Sequence, residues 1–200
     1  MKIFAEKEAE NFLEKEGFDV VDRFYAKNNK DIQKAMKKIL FPWVMKASGR
    51  KIIHKKSING VRVGIRNYEQ AERIFNSLKK IKNCEGIIIQ KQIKGKEFLL
   101  GLKENPDFGH VIAFGFGGTG VEKKKNISFR VCPLDKKDAK ELIKETKIKL
   151  ERQSLDAIEK NILKLCGLVK KYPKIKELDI NPLIVEKNKA IVVDARFVLD

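Results

Sequence analysis

Cysteine, histidine and long apolar runs are scarce in this chain, and each scarcity excludes something. The three cysteines, Cys84, Cys132 and Cys166, are odd in number and widely spaced among core-like residues. That pattern argues against a disulfide framework or a zinc site, and for three packed thiols in a reducing cytoplasm. No apolar stretch approaches a membrane span, and Met1-Lys2-Ile3-Phe4-Ala5-Glu6 lacks the apolar core of a signal peptide. The chain has no internal repeat, low-complexity tract or long linker. It also lacks RNP-type aromatic motifs, zinc knuckles and Gly-Arg tracts.

Positive charge, by contrast, is abundant. Lys and Arg number 44 against 27 Asp and Glu, a formal net charge of +17 in 200 residues. Such an excess suits polyanions: nucleic acid, an acidic membrane surface, or polyphosphates such as ATP and CoA. The lysines are spread over nearly every predicted helix and interleaved with Glu, with local clusters at residues 50–56 and 123–125. A solvated positive surface and phosphate-bearing small ligands therefore take precedence over nucleic acid.

Hydrophobic periodicity predicts helices over residues 4–16, 30–40, 68–80, 138–144 and 155–168. Strands are expected at 18–24, 43–47, two short stretches within 51–65, and then 86–92, 97–103 and 111–116, with a hairpin at the end. The fold class is α+β, a small α/β lobe followed by a larger lobe whose sheet is mainly antiparallel. The predicted boundary lies at Cys84–Gly86, giving lobes of residues 1–85 and 86–200.

The chemistry concentrates in the last quarter. Asp179 and Asn181 are two apart in an apolar, strand-like segment, so their side chains leave the same face. Pro182 cannot donate to a ladder and is expected to end that strand. Asp194 follows on a second apolar run after the turn-prone Lys187-Asn188-Lys189, so a hairpin brings it beside Asn181. Two carboxylates and an amide carbonyl are hard oxygen donors suited to Mg²⁺ on a phosphate ligand.

Three further segments carry candidates. Lys46 interrupts the apolar strand Trp43-Val44-Met45-Lys46-Ala47, where an ammonium is costly unless it meets an anion. His54 stands in the cation-rich Lys51-Ile52-Ile53-His54-Lys55-Lys56-Ser57, which favours a neutral, nucleophilic imidazole. Phe114-Gly115-Phe116-Gly117-Gly118-Thr119-Gly120 is dense in glycine, whose backbone amides approach anions closely. His110, beside a strand, is assigned to structure.

These segments together resemble the ATP-grasp β subunit of NDP-forming acyl-CoA synthetases (acetate–CoA ligase, ADP-forming), relatives of the succinyl-CoA synthetase β chain. The resemblance is carried by Glu-Leu-Asp-Ile-Asn-Pro-Leu with the later Asp194-Ala195-Arg196, by the Ser48…His54-Lys55…Gly60-Val61 element, and by Gly115-x-Gly117-Gly118 followed by Ser128-Phe129-Arg130. It implies an ATP-grasp fold of two lobes, with mixed or antiparallel sheets flanked by helices, clamping ATP or ADP with Mg²⁺. The reaction it implies is acyl-CoA + ADP + phosphate ⇌ acid + CoA + ATP.

By the same resemblance, Asp179, Asn181 and Asp194 hold the metal, while Lys46, Gly117 and Gly118 hold phosphates. Gln90, Lys91 and Gln92 form the adenine hinge, and Glu97 faces ribose. His54 relays a phosphoryl group between a phosphohistidine on the partner subunit and ADP. A separate CoA-binding α subunit is expected, in a heterotetramer, and no membrane. Asn59 stands where the family has a glycine, Lys91 where an acidic residue is common, and Asn126 in place of an aspartate. The segment near residue 150 is shortened. These departures support a competing reading, a degenerate ATP-grasp protein that binds nucleotide or a partner without catalysis.

Overall fold

Two antiparallel sheets, each with its own helices, account for the regular structure in a computed structural model that describes residues 1–52, 55, 57–118 and 126–200. The larger unit comprises Met1–Val20 and Lys94–Asp200, and the smaller Val21–Ile93.

The larger unit is built on β1 (Lys2–Phe4), β6 (Lys96–Asn105), β7 (Gly109–Phe116), β8 (Ile127–Val131), β9 (Ile175–Glu186), β10 (Lys189–Val192) and β11 (Ala195–Leu199). Their order is β1-β11-β9-β6-β7-β8, with β10 added to the far half of β9. Side chains alternate across this sheet as a two-residue period requires. Phe98, Leu100, Leu102, Ile112, Phe114, Leu178, Ile180 and Phe197 point into one core, covered by α1 (Glu6–Lys15), α4 (Lys136–Glu145) and α5 (Arg152–Lys171). On β9 and β11 the opposite face carries Glu177, Asp179 and Arg196, with Val198 among them.

The smaller unit orders its strands β2 (Arg23–Ala26), β5 (Gly86–Lys91), β3 (Trp43–Ser48) and β4 (Val61–Ile65). Helices α2 (Asn29–Met36) and α3 (Tyr68–Lys79) bury Ile32, Ala35, Ala71, Phe75 and Leu78 against Trp43, Met45, Ala47, Ile87 and Ile89. Asparagine side chains start both helices, Asn28 accepting from the Asp31 amide at 3.2 Å and Asn67 from the Gln70 amide at 2.9 Å. Asp135 caps α4 in the same way, at 2.8 Å from the Asp138 nitrogen.

The division differs from the one expected at residue 85. β5 is the central strand of the smaller sheet, paired on both sides, so it cannot begin the second lobe. The first twenty residues belong to the larger unit, because β1 pairs with β11 and α1 packs on that strand. Within residues 51–65 one strand, β4, is present among the described residues rather than two. A second finding concerns the cysteines. Cys132, just after β8, and Cys166, in α5, lie side by side with their Cα atoms 5.8 Å apart, while Cys84 stands apart as a free thiol. Both elements converge on one core, a proximity that a separation of 34 residues does not announce. No helix among the described residues is long and apolar enough to cross a membrane.

Candidate functional site

In the larger unit the candidate residues gather where β9 changes partner. β9 pairs with β11 as far as Ile180 and with β10 from Leu183 onward. On its other side Ile180 faces Leu100 and Leu183 faces Phe98, so Asn181 and Pro182 form a bulge. A bulge needs no ladder N–H, which is why Pro182 does not end the strand and β9 continues to Glu186. The Asn181 amide donates to the Asp194 carbonyl at 3.1 Å, and the Val193 amide to the Pro182 carbonyl at 3.3 Å. Asp194 is thereby seated beside Asn181, as the hairpin reading required.

Asp179 leaves the face opposite the core, in register with Gly101 and Arg196. Burial, together with the charges of Glu177 and Asp194, pushes its carboxyl up to about 6, and Arg196 pulls the other way. Glu177 and Arg196 were not singled out from sequence, although their two-residue offsets from Asp179 and Asp194 put them on this face. Negative charge crowded into a half-buried site, with an amide oxygen alongside, fits a hard divalent cation. Among the described residues no three His, Cys, Asp or Glu side chains converge.

Gly117 and Gly118 reach the same place from β7, but their amides are turned inward. The Gly117 amide donates to the Glu97 carbonyl at 2.9 Å, and the Gly118 amide to Asn181 Oδ1 at 3.3 Å. Both positions require glycine. A Cβ on Gly117 would lie 2.4 Å from the Phe98 carbonyl carbon, and Gly118 has a φ of +77° with Glu97 Oε2 where a Cβ would go. Glu97 thus packs against the glycine turn.

The smaller unit carries the remaining candidates. Lys46 is opposite Ile88 and Val44 opposite Gln90, so Lys46 and Gln90 share the sheet face away from α2 and α3. Lys46 is only 5 % exposed and Gln90 2 %. Lys91 does not join them: it is paired with Trp43, one residue out of phase, and is exposed. Gln92 works as a clamp. Its amide donates to the Pro42 carbonyl at 2.9 Å, and its side-chain oxygen accepts the Gly64 amide at 2.8 Å. Gly64 lies where β4 slips register against β3, which frees that amide from the ladder. An isolated glycine in a strand pattern is the sequence signal for such a bulge.

His54 lies outside the described residues, as do residues 119–125 of the glycine-rich segment. Around His54, the Ile52 amide donates to the Gly49 carbonyl at 3.0 Å and the Gly60 amide to the Lys55 carbonyl at 2.6 Å. Asn59 has a φ of +51°. Asparagine is among the few non-glycine residues that enter this region readily, so the departure preserves the turn. His110 is structural as expected, its Nε2 being 2.7 Å from the Ile175 carbonyl oxygen.

The ATP-grasp domain family model matches residues 1–199. The chain belongs to the ATP-grasp family. Within that family it is 35 % identical to the β subunit of the ADP-forming acetate–CoA ligase I of Pyrococcus furiosus, over 97 % of this chain and 90 % of that subunit. It is 36 % identical to the ADP-forming acetate–CoA ligase II of Archaeoglobus fulgidus over 98 % of its own length, but spans only 30 % of that longer protein. Among solved structures, the dinucleotide-forming acetyl-coenzyme A synthetase 1 of Ca. Korarchaeum cryptofilum, in complex with coenzyme A and Ca-AMPCP, superposes with a TM-score of 0.90. The identity is 31 %, and 100 % of this chain and 94 % of that chain are covered. A second structure of that synthetase contains Mg-AMPPCP, with a phosphohistidine segment pointing towards the nucleotide binding site. This ATP-grasp chain is thus similar, over nearly its whole length, to the β subunits of ADP-forming acetate–CoA ligases.

Proposed function

We propose that the chain is the nucleotide-binding β subunit of an ADP-forming acyl-CoA synthetase, acting with a CoA-binding α subunit in a heterotetramer. The observation that carries this reading is the convergence of Asp179, Asn181 and Asp194 at the β9 bulge, in a chain matching the Pyrococcus β subunit over nine-tenths of its length. Asp179, Asn181 and Asp194 would hold Mg²⁺, as the Korarchaeum relative holds Mg-AMPPCP. When bound, the cation neutralises phosphate charge, the main demand of phosphoryl transfer.

The chain's own residues do the positioning. Lys46 offers a nearly buried ammonium for a charge-assisted phosphate contact, and Gln90 is on the same sheet face. His54 would accept the phosphoryl group from the partner's phosphohistidine and pass it to ADP. In this structure Glu97 and Gly117 hold the turn beside the proposed metal ligands, and the Gly118 amide rests on Asn181. The full reaction belongs to the assembly with the CoA-binding subunit.

Co-purification with the CoA-binding subunit, followed by an assay of ATP formation from acetyl-CoA, ADP and phosphate, tests this. Activity is expected only when both subunits are present. Mg-ADP binding by this chain without ATP formation by the assembled pair would favour the non-catalytic reading.

A further inference from the structure

We infer that Asn181 is a positioning residue that couples cation occupancy at the β9 bulge to the glycine turn. The inference rests on the cation-site reading above. Its basis is one shared atom: Oδ1 of Asn181, the oxygen proposed to face Mg²⁺, is also the acceptor for the Gly118 amide at 3.3 Å.

The surroundings leave little else free to respond. The backbone of Asn181 is tied to Asp194, and the neighbouring Pro182 carbonyl to Val193, so the side-chain amide is the adjustable part of this residue. The glycine turn is gripped from the other side. Gly117 donates to the Glu97 carbonyl at 2.9 Å, and Glu97 Oε2 occupies the space beside Gly118 that any larger residue would need. Among the described residues, the hydrogen bond from Gly118 to Asn181 links the turn to the proposed metal ligands.

The chemistry of an amide gives that link a direction. Asn181 offers a single acceptor oxygen, whereas a carboxylate would offer two. A cation at Asp179, Asn181 and Asp194 draws on the electron density that holds the Gly118 hydrogen. The Gly118 bond weakens, and its N–H becomes a donor for the anion that accompanies the cation. Cation and phosphate then bind cooperatively, each favouring the arrangement the other needs. An aspartate at 181 would keep one oxygen for the cation and one for Gly118, which separates the two events.

The test is amide NMR and hydrogen exchange on the full chain, titrated with MgCl2 alone. In the wild type, Mg²⁺ is expected to shift the amides of Ile180 and Ala195 and to speed exchange at Gly118 roughly fivefold to tenfold, the loss of one neutral hydrogen bond. In Asn181→Asp, a near-isosteric change that keeps a ligand oxygen, the hairpin amides should still respond while Gly118 stays protected. A hairpin response with Gly118 unchanged in the wild type overturns the coupling and leaves the cation site standing. Equal acceleration of Gly118 in Asn181→Asp overturns it as well, because the single amide oxygen is then not the link. Absence of any amide response at saturating Mg²⁺ removes the cation site itself, and the coupling with it.

Discussion

The Asn181 amide donates to the Asp194 carbonyl at 3.1 Å, across the point where β9 leaves β11 for β10. That bond holds two residues thirteen positions apart at one bulge, with Asp179 just upstream on the open face of the sheet. The proposed cation site thus draws on strand β9 and on the two-residue link between β10 and β11, which the backbone bond to Asn181 ties down.

Removing both carboxylates should separate folding from metal binding. The double substitution Asp179→Asn, Asp194→Asn is expected to leave the protein folded while abolishing the rise in Tm produced by Mg-ADP. Stabilisation by ligand depends only on its affinity for the folded state, so a thermal-shift titration in MgCl2 and in EDTA reads the site directly. A double variant that gains as much as the wild type would place the ligands elsewhere.

Asp179 also predicts a pH dependence. Its carboxyl titrates at about 6 in the folded protein against an ordinary value of 3.8. Between those values the folded state binds more protons than the unfolded one, so the metal-free protein loses stability as pH rises from about 4 to about 6 and levels off above. A shift of roughly two units corresponds to about 2–3 kcal/mol. Added Mg²⁺ should recover most above pH 6, where the carboxylate is ionised and free to ligate. Urea melts at pH 4 to 8, with and without MgCl2, check this, and Asp179→Asn should flatten the metal-free profile.

Lys46→Met keeps the aliphatic stem in its buried place and removes the charge. Loss of one charge-assisted phosphate contact is worth roughly 1.5–3 kcal/mol, or about a tenfold to hundredfold weaker Kd for Mg-ADP by calorimetry. Unchanged affinity would exclude Lys46 from the nucleotide site.

Gln92 should behave differently, because its side-chain oxygen is committed to Gly64. Gln92→Ala is expected to cost about 0.5–1 kcal/mol of stability, the net worth of an exposed hydrogen bond, and to leave the Kd for Mg-ADP within about twofold. A loss as large as that of Lys46→Met would return Gln92 to the ligand shell.

His54 is expected to carry a phosphoryl group. Incubation with γ-labelled ATP and the α subunit should yield an acid-labile, base-stable label that His54→Ala lacks while still binding nucleotide. Full ATP synthesis by His54→Ala would sink the relay.

Most of the elements were legible because their signals are local. Asn28, Asn67 and Asp135 announce helix starts, since a side chain that accepts from the third residue on is a property of four consecutive positions. The Asp179-x-Asn181 spacing and the alternation around Lys46 follow from the two-residue period of a strand. By itself the sequence determined most of the helices and central strands, which of their side chains share a face, and which family the chain resembles; β1 and β8 it did not announce. Only the tertiary structure decided which strand meets which. β1 pairs with β11 at the opposite end of the chain, β5 is drawn between β2 and β3, and Cys132 finds Cys166. The same holds for Gly118 on Asn181 and Gln92 on Gly64, where amides expected to face ligand, or side chains expected to touch it, are held within the protein. The reason is physical. Periodicity and backbone restriction act over a few residues, whereas these pairings are settled by closing loops of tens of residues or more around a common core, and no local pattern records which closure wins.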